Sequence, residues 1–204
     1  MITNQEKFWS GSFGNAYSKR VNSKKLIKSN QFLFNRILSK TRYVTSILEL
    51  GCNIGLNLIA IKNLSKKYKL NGLEINKKAY KIAQKNLKNA SIVNETIFKF
   101  NSDQRFDFVF TKGVLIHLNP NKLNEAYKKI YDLSKKYILI AEYYNPYPIK
   151  IKYRGHDNKL FKRDFADEIM NKYKDLKLID YGFVYRNDSD YPQDDINWFL
   201  LKKK

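Results

Sequence analysis

The stretch Ile47–Asn57 (Ile-Leu-Glu-Leu-Gly-Cys-Asn-Ile-Gly-Leu-Asn) constrains the fold more than any other part of the chain. An apolar run ending at Leu50 stops at Gly51-Cys52-Asn53-Ile54-Gly55, and a helical pattern follows through Leu56, Ile59, Ala60 and Leu64. A buried strand that turns through glycines into a helix aims backbone N–H groups and a helix N-terminus at one point, which suits a nucleotide-like ligand. The dinucleotide fingerprint G-x-G-x-x-G would put glycine at 51, 53 and 56, but 53 is Asn and 56 is Leu. Asn tolerates a left-handed backbone, so the loop survives that change. An ordinary tight strand-to-helix turn stays open as the other reading of this stretch.

Hydrophobic periodicity extends the pattern in both directions. Strands are expected at Ser46–Leu50, Leu70–Ile75, Ser91–Val93, Phe106–Phe110, Tyr137–Glu142, Lys177–Tyr185 and Asn197–Leu201. Helices are expected at Ser23–Lys40, after the glycine loop, after a capping Asn76, at Lys122–Lys135 and at Lys162–Tyr173. Alternating strands and helices give a parallel α/β sheet with ligands at the strands' carboxyl ends, and two closing strands without a helix between them give an antiparallel edge. The 204 residues show no linker or repeat, so one domain is expected, with a lid and helix over 1–45 and a cofactor-binding core over 46–204.

Spacing marks further positions at the strand ends. Glu74 lies about 20 residues past the glycine loop, where nucleotide-binding α/β folds place the carboxylate that holds ribose hydroxyls. The competing reading is a surface acid. Ile75 follows it, Thr96 and Ile97 stand where an adenine edge would be met, and Thr111-Lys112-Gly113 ends the fourth strand.

The net charge of +20 raises nucleic acid as a partner. The lysines, however, are scattered over every expected helix rather than gathered into a stripe with interleaved aromatics, so a solvated basic surface is the expected reading and nucleic acid is not the expected partner. A single cysteine forms no internal disulfide, which fits the cytoplasm, and Cys52 reads as a small packing residue of the glycine loop. No apolar run approaches the roughly 20 residues of a membrane helix, and Met1–Lys7 lacks an apolar signal core. One cysteine and two histidines do not make a zinc site, so no metal is expected.

With Glu49, Gly51 and Gly55 in place, the glycine loop resembles the acidic-x-G-x-G-x-G motif of class I S-adenosylmethionine methyltransferases, Asn53 replacing the middle glycine. Several blocks resemble one small group within that class, the methylases associated with pseudaminic acid and other surface-glycan pathways. They are Phe8–Gly14, Glu49–Asn57, Phe110–His117, Ala141–Pro146, Tyr153–His156, Leu160–Ala166 and Pro192–Asp195. The resemblance implies a single-domain Rossmann-like fold: a mostly parallel seven-stranded sheet with an antiparallel edge strand and helices on both faces. It implies S-adenosylmethionine as cofactor and S-adenosylhomocysteine as product, held by Glu49, Gly51, Cys52, Asn53, Gly55 and Asn57 together with the strand-end residues above. The acceptor it implies is a small anionic intermediate of surface polysaccharide or capsule biosynthesis, of sugar, nucleotide-sugar or phosphoramidate type. It leaves the oligomeric state open.

Methyl transfer to a hydroxyl needs alignment and a group to take the proton. His117, Glu142 and His156 are the candidate bases near strand ends. Arg154, Lys159, Lys162 and Arg163, with Tyr143, Tyr144 and Tyr153, form a candidate anion pocket, with Lys162 and Arg163 opening a helix. Phe8–Tyr17 is expected to be a lid hinged at Gly11 and Gly14, with Trp9, Phe13 and Tyr17 covering the sulfonium and Arg20 meeting the cofactor's carboxylate. Two other functions stay in play: methylation of RNA such as tRNA, and a cofactor-binding protein without activity.

Overall fold

The structure, a computed structural model, describes residues 2–20 and 24–204. Ser23, the first residue of the helix expected from Ser23, lies outside the described residues, as does Met1 of the expected polar N-terminus.

Seven strands form one sheet: β1 (Ser46–Leu50), β2 (Lys69–Leu73), β3 (Ser91–Val93), β4 (Phe106–Lys112), β5 (Ser134–Glu142), β8 (Leu176–Val184) and β9 (Ile196–Lys203). Their order is β3-β2-β1-β4-β5-β9-β8. The first five are parallel, and β9 runs antiparallel between β5 and the edge strand β8. The helices are α1 (Asn4–Ser10), α2 (Ser12–Arg20), α3 (Lys24–Ser39), α4 (Leu56–Leu64), α5 (Lys77–Asn86), α6 (Leu123–Leu133) and α7 (Phe165–Lys172).

Alternation along the central strands sorts side chains between two cores. Phe108, Phe110 and Leu139 pack with α3 and α4 through Phe34, Ile37 and Leu58. Val109, Ile138 and Ile140 point the other way, onto Ile130 of α6 and Ile169 of α7. β1 is buried on both faces, as a central parallel strand must be, with Ile47 in one core and Leu48 and Leu50 in the other. At the opposite end of the sheet, Asp107 of β4 accepts hydrogen bonds from the backbone N–H groups of Thr45 and Ser46, tying the start of β1 to its neighbour.

Two local expectations are corrected, the hinge at Gly14 and the helix opening at Lys162. Phe8–Tyr17 lies within α1 and α2, which meet at Gly11, and a capping box between Thr3 and Glu6 starts α1. Gly14 is not a hinge, because a Cβ there would lie 1.9 Å from the Trp9 carbonyl oxygen, so it permits close packing of the two helices. The stretch after Pro148 is a two-stranded hairpin, β6 (Ile149–Tyr153) and β7 (His156–Lys162), closed by Arg154 and Gly155 at φ 48° and 85°, as a two-residue hairpin turn requires. Lys162 therefore ends a strand. Asp164 caps α7 by accepting from the Asp167 N–H at 2.8 Å, so neither Lys162 nor Arg163 opens that helix.

Candidate active site

The glycine loop is built as its sequence requires. Gly51, Asn53 and Gly55 take φ of 80°, 48° and 85°, and α4 starts immediately after Gly55. Gly51 admits no side chain, since a Cβ would meet Val114 at 2.7 Å. The Gly51 and Cys52 N–H groups are bound to the Leu73 carbonyl oxygen, each at 2.8 Å, which seats the loop against the end of β2.

A cavity lies over the carboxyl ends of β1, β2 and β4. Gly51, Cys52, Asn53 and Asn57 line its floor. Glu74 and Ile75 line one wall, Thr96 and Ile97 the next. Lys112 and Gly113 line it from β4, and Trp9 and Tyr17 from above. Burial pushes the Tyr17 hydroxyl pKa well above its usual value. Glu49 and Gly55 act from behind. Glu49 is buried and accepts from Asn57 Nδ2 at 2.6 Å, and burial raises its pKa to about 8. Thr111 is fully buried in β4 and does not reach the cavity. Arg20 is also absent from the lining; its guanidinium lies over the Phe13 and Tyr17 rings on the exposed side of α2.

The walls fit S-adenosylmethionine. Glu74 is 8% exposed, and its two oxygens accept from the N–H groups of Asn53 at 2.8 Å and Asn76 at 2.7 Å. A carboxylate oxygen accepts two hydrogen bonds, so each retains one acceptor position for a vicinal diol. The Trp9 Nε1 and Gln5 Oε1 atoms, buried on cavity-lining side chains, have no partner among the described residues. The glycine loop leaves room for a ligand to approach backbone closely.

The three candidate bases separate sharply. Glu142 is not free to act: its carboxylate accepts from the N–H groups of Val114, Leu115 and Ile116 at 2.9–3.4 Å, capping the helical turn Leu115–His117. Burial raises its pKa to about 7 although those bonds oppose the shift. His156 is exposed on β7 and packs edge-on against the Phe8 and Phe13 rings, outside the cavity. His117 lines the cavity, with Nδ1 2.6 Å from the Lys159 carbonyl oxygen. A carbonyl only accepts, so Nδ1 carries the proton and Nε2 is the bare nitrogen, which makes no hydrogen bond among the described residues. Burial pulls the imidazole down to a pKa of about 4, against the Lys159 bond that favours the charged form.

The expected anion pocket does not assemble. Arg163 is bound to Glu168 at 3.3 Å. Lys159 donates to the Asn4 carbonyl oxygen and lies over Phe8. Lys162 stands over Tyr143 and Arg154 over Tyr153. Tyr144 leans on Phe199. The pleat of β7 sends alternate side chains to opposite faces, so cations adjacent in sequence diverge in space. None of these residues lines the cavity; the Tyr153 ring lies 4.9 Å from that of His117, and Lys159 touches His117 through its carbonyl oxygen alone.

Other residues line the cavity without having been given a role from the sequence. Gln5, Glu6, Ser18, Asn30, Gln193 and Asp194 come from α1, α2, α3 and the β8–β9 loop. Gln5, Glu6, Ser18 and Gln193 are held there by hydrogen bonds distant in sequence. Glu6 holds the Thr96 hydroxyl, and Asn76, the α5 cap, donates to the Trp9 carbonyl oxygen at 3.0 Å.

Residues 47–137, which span the glycine loop, Glu74 and His117, match the family model described as a methyltransferase domain. The match covers just under half of the chain. No curated protein matches the sequence. Among solved structures, the methyltransferase resembles magnesium protoporphyrin IX methyltransferase from Synechocystis PCC 6803 with bound S-adenosylmethionine, at a TM-score of 0.70 and 10% identity over 99% of this chain and 98% of that one. It also resembles the 1,6-didemethyltoxoflavin-N1-methyltransferase of Burkholderia thailandensis (TM-score 0.71, 13% identity, 98% and 87% covered). A third is an amino pentose methyltransferase from Micromonospora echinaspora (TM-score 0.64, 13% identity, 94% and 96% covered). The fold of this methyltransferase is therefore the Rossmann-like class I fold along nearly its whole described length. No helix among the described residues is long and apolar enough to cross a membrane.

Proposed function

We propose that this methyltransferase takes its methyl group from S-adenosylmethionine and places it on an oxygen of a small-molecule acceptor, with His117 taking the proton. The observation that carries the reading is the His117 imidazole: it lines the same cavity as the glycine loop and Glu74, with Nδ1 fixed on the Lys159 carbonyl and Nε2 bare. S-adenosylmethionine supplies an activated methyl on a sulfonium, so the protein needs no metal or covalent nucleophile. Glu74 accepts from the ribose hydroxyls, and the loop Gly51–Gly55 holds the methionyl part close to backbone. Trp9 and Tyr153, with ring centroids 4.5 and 4.9 Å from the imidazole, keep bulk water from Nε2. A hydroxyl that donates to Nε2 is aligned by that bond and surrenders its proton there as its oxygen is alkylated.

The acceptor we propose is a small anionic intermediate of surface-glycan biosynthesis. Support comes from the sequence blocks shared with that group of methylases. The solved neighbours named above act, by their descriptions, on small molecules. The test is incubation with S-adenosylmethionine and a panel of acidic sugars, nucleotide sugars and bulk tRNA, read by mass spectrometry. Methylated sugar products support the reading; transfer confined to tRNA overturns it.

A further inference from the structure

The block Pro192–Asp195, in the loop between β8 and β9, has no part in the function proposed so far, yet Gln193 and Asp194 both line the cavity beside Lys112. Gln193 is 5% exposed, and its Nε2 donates to the Ser29 carbonyl oxygen of α3 at 3.1 Å. That bond fixes the amide's orientation and leaves Oε1 as a buried acceptor with no partner among the described residues. An unmatched buried acceptor is costly, and only a donor arriving in the cavity offsets that cost.

Asp194, which is exposed, and Lys112, which is half-buried, bring full charges to the same cavity. Neither side chain makes a hydrogen bond or ion pair among the described residues, although Asp194 is the acid that acts most strongly on the Lys112 ammonium. Burial lowers the Lys112 pKa, with Asp194, Glu49 and Glu142 opposing the shift. Opposite charges thus share one cavity without closing on each other. A ligand carrying a cation and an anion on one carbon would bridge them.

We propose that Lys112, Gln193 and Asp194 form a subsite for an α-amino-acid group, its carboxylate on Lys112 and its ammonium on Asp194 and Gln193 Oε1. The occupant is the methionyl end of the cofactor, so the proposal rests on the cofactor reading above. It gives the β8–β9 loop, more than 100 residues beyond the glycine loop, the task of telling the whole cofactor from its truncated nucleoside.

Calorimetry with two probes tests this. S-adenosylhomocysteine carries the amino-acid end; 5′-methylthioadenosine has the same adenosine and thioether without it. The wild-type protein should bind the first more tightly than the second. Asp194→Asn and Lys112→Gln should each weaken S-adenosylhomocysteine by about ten- to a hundredfold, the loss of one charge-assisted bond, and leave 5′-methylthioadenosine unchanged. Retained nucleoside binding also shows that the variants fold. Equal wild-type affinity for the two probes, or equal effects of the variants on both, overturns the subsite while leaving the adenosine cradle intact. Failure of both probes to bind the wild-type protein overturns the cofactor reading beneath it.

Discussion

His117 Nδ1 lies 2.6 Å from the carbonyl oxygen of Lys159, 42 positions later in the chain, so a backbone group of the β6–β7 hairpin sets the tautomer of an imidazole on the cavity wall. The hairpin thereby holds the reactive nitrogen without contributing a side chain to the cavity. Any change that shifts β7 away from the Leu115–His117 turn should impair transfer before it impairs cofactor binding.

Replacing His117 by Ala should lower kcat by about a hundred- to ten-thousandfold, the span of a lost general base, while S-adenosylhomocysteine affinity changes little. Because the imidazole titrates near a pKa of about 4, kcat should stay level from neutrality down to about pH 5 and fall below that. A group whose folded pKa is depressed below its unfolded value of about 6.5 also withdraws stability as pH drops between those two values. Steady-state rates across pH, with denaturation run in parallel, separate the two effects.

Glu142 should behave as a structural residue. Glu142→Ala leaves three N–H groups of the Val114–Ile116 turn without an acceptor, and the two buried ones, of Leu115 and Ile116, cost about 1–3 kcal/mol each. A fall in denaturation midpoint is the expected outcome. A stable variant with kcat alone reduced would instead make Glu142 the base.

Much of this arrangement was legible in the sequence because it depends on local rules. The edges of β1 and β3 fall where apolar periodicity puts them, and the spacing from Gly51 to Glu74 brings those residues to one cavity because parallel neighbouring strands end side by side. What the sequence hid is non-local. Glycines 11 and 14 read as breaks, whereas Gly14 sits inside α2 because Trp9 packs on it. The cations of residues 154–163 read as a cluster until the pleat of β7 separates them. Gln193 reaches the cavity through a bond to Ser29, 164 positions away, which no spacing rule anticipates.

Asp107 makes stability depend on acid. Burial alone would raise its pKa, but hydrogen bonds from Thr45 and Ser46 and the nearby Lys136 ammonium hold it at about 2. A carboxyl group with a folded pKa below its unfolded value of about 3.9 stabilises the fold fully above that value and loses the contribution as pH falls toward the folded one. The wild-type protein should therefore exceed Asp107→Asn in denaturant midpoint by a constant margin above about pH 5, and the margin should shrink toward pH 2.

The paired helices α1 and α2 should close over bound cofactor. Glu6 on Thr96, Asn76 on the Trp9 carbonyl and Lys159 on the Asn4 carbonyl hold them over the cavity, so ligand entry requires these bonds to open. Amide hydrogen exchange in residues 4–20 should slow on addition of S-adenosylhomocysteine. Equal protection with and without it would make the segment a fixed staple.

The most direct test of the account is calorimetric titration of S-adenosylhomocysteine into the wild-type protein, Gly51→Val and Glu74→Ala. Gly51 has φ 80° and a Cβ position 2.7 Å from Val114, so a branched side chain there distorts the loop, and Glu74 is the carboxylate left with free acceptor positions. The account predicts saturable binding to the wild-type protein, abolished in Gly51→Val and weakened about tenfold or more in Glu74→Ala, as for a lost charge-assisted hydrogen bond. Wild-type affinity in both variants would contradict it.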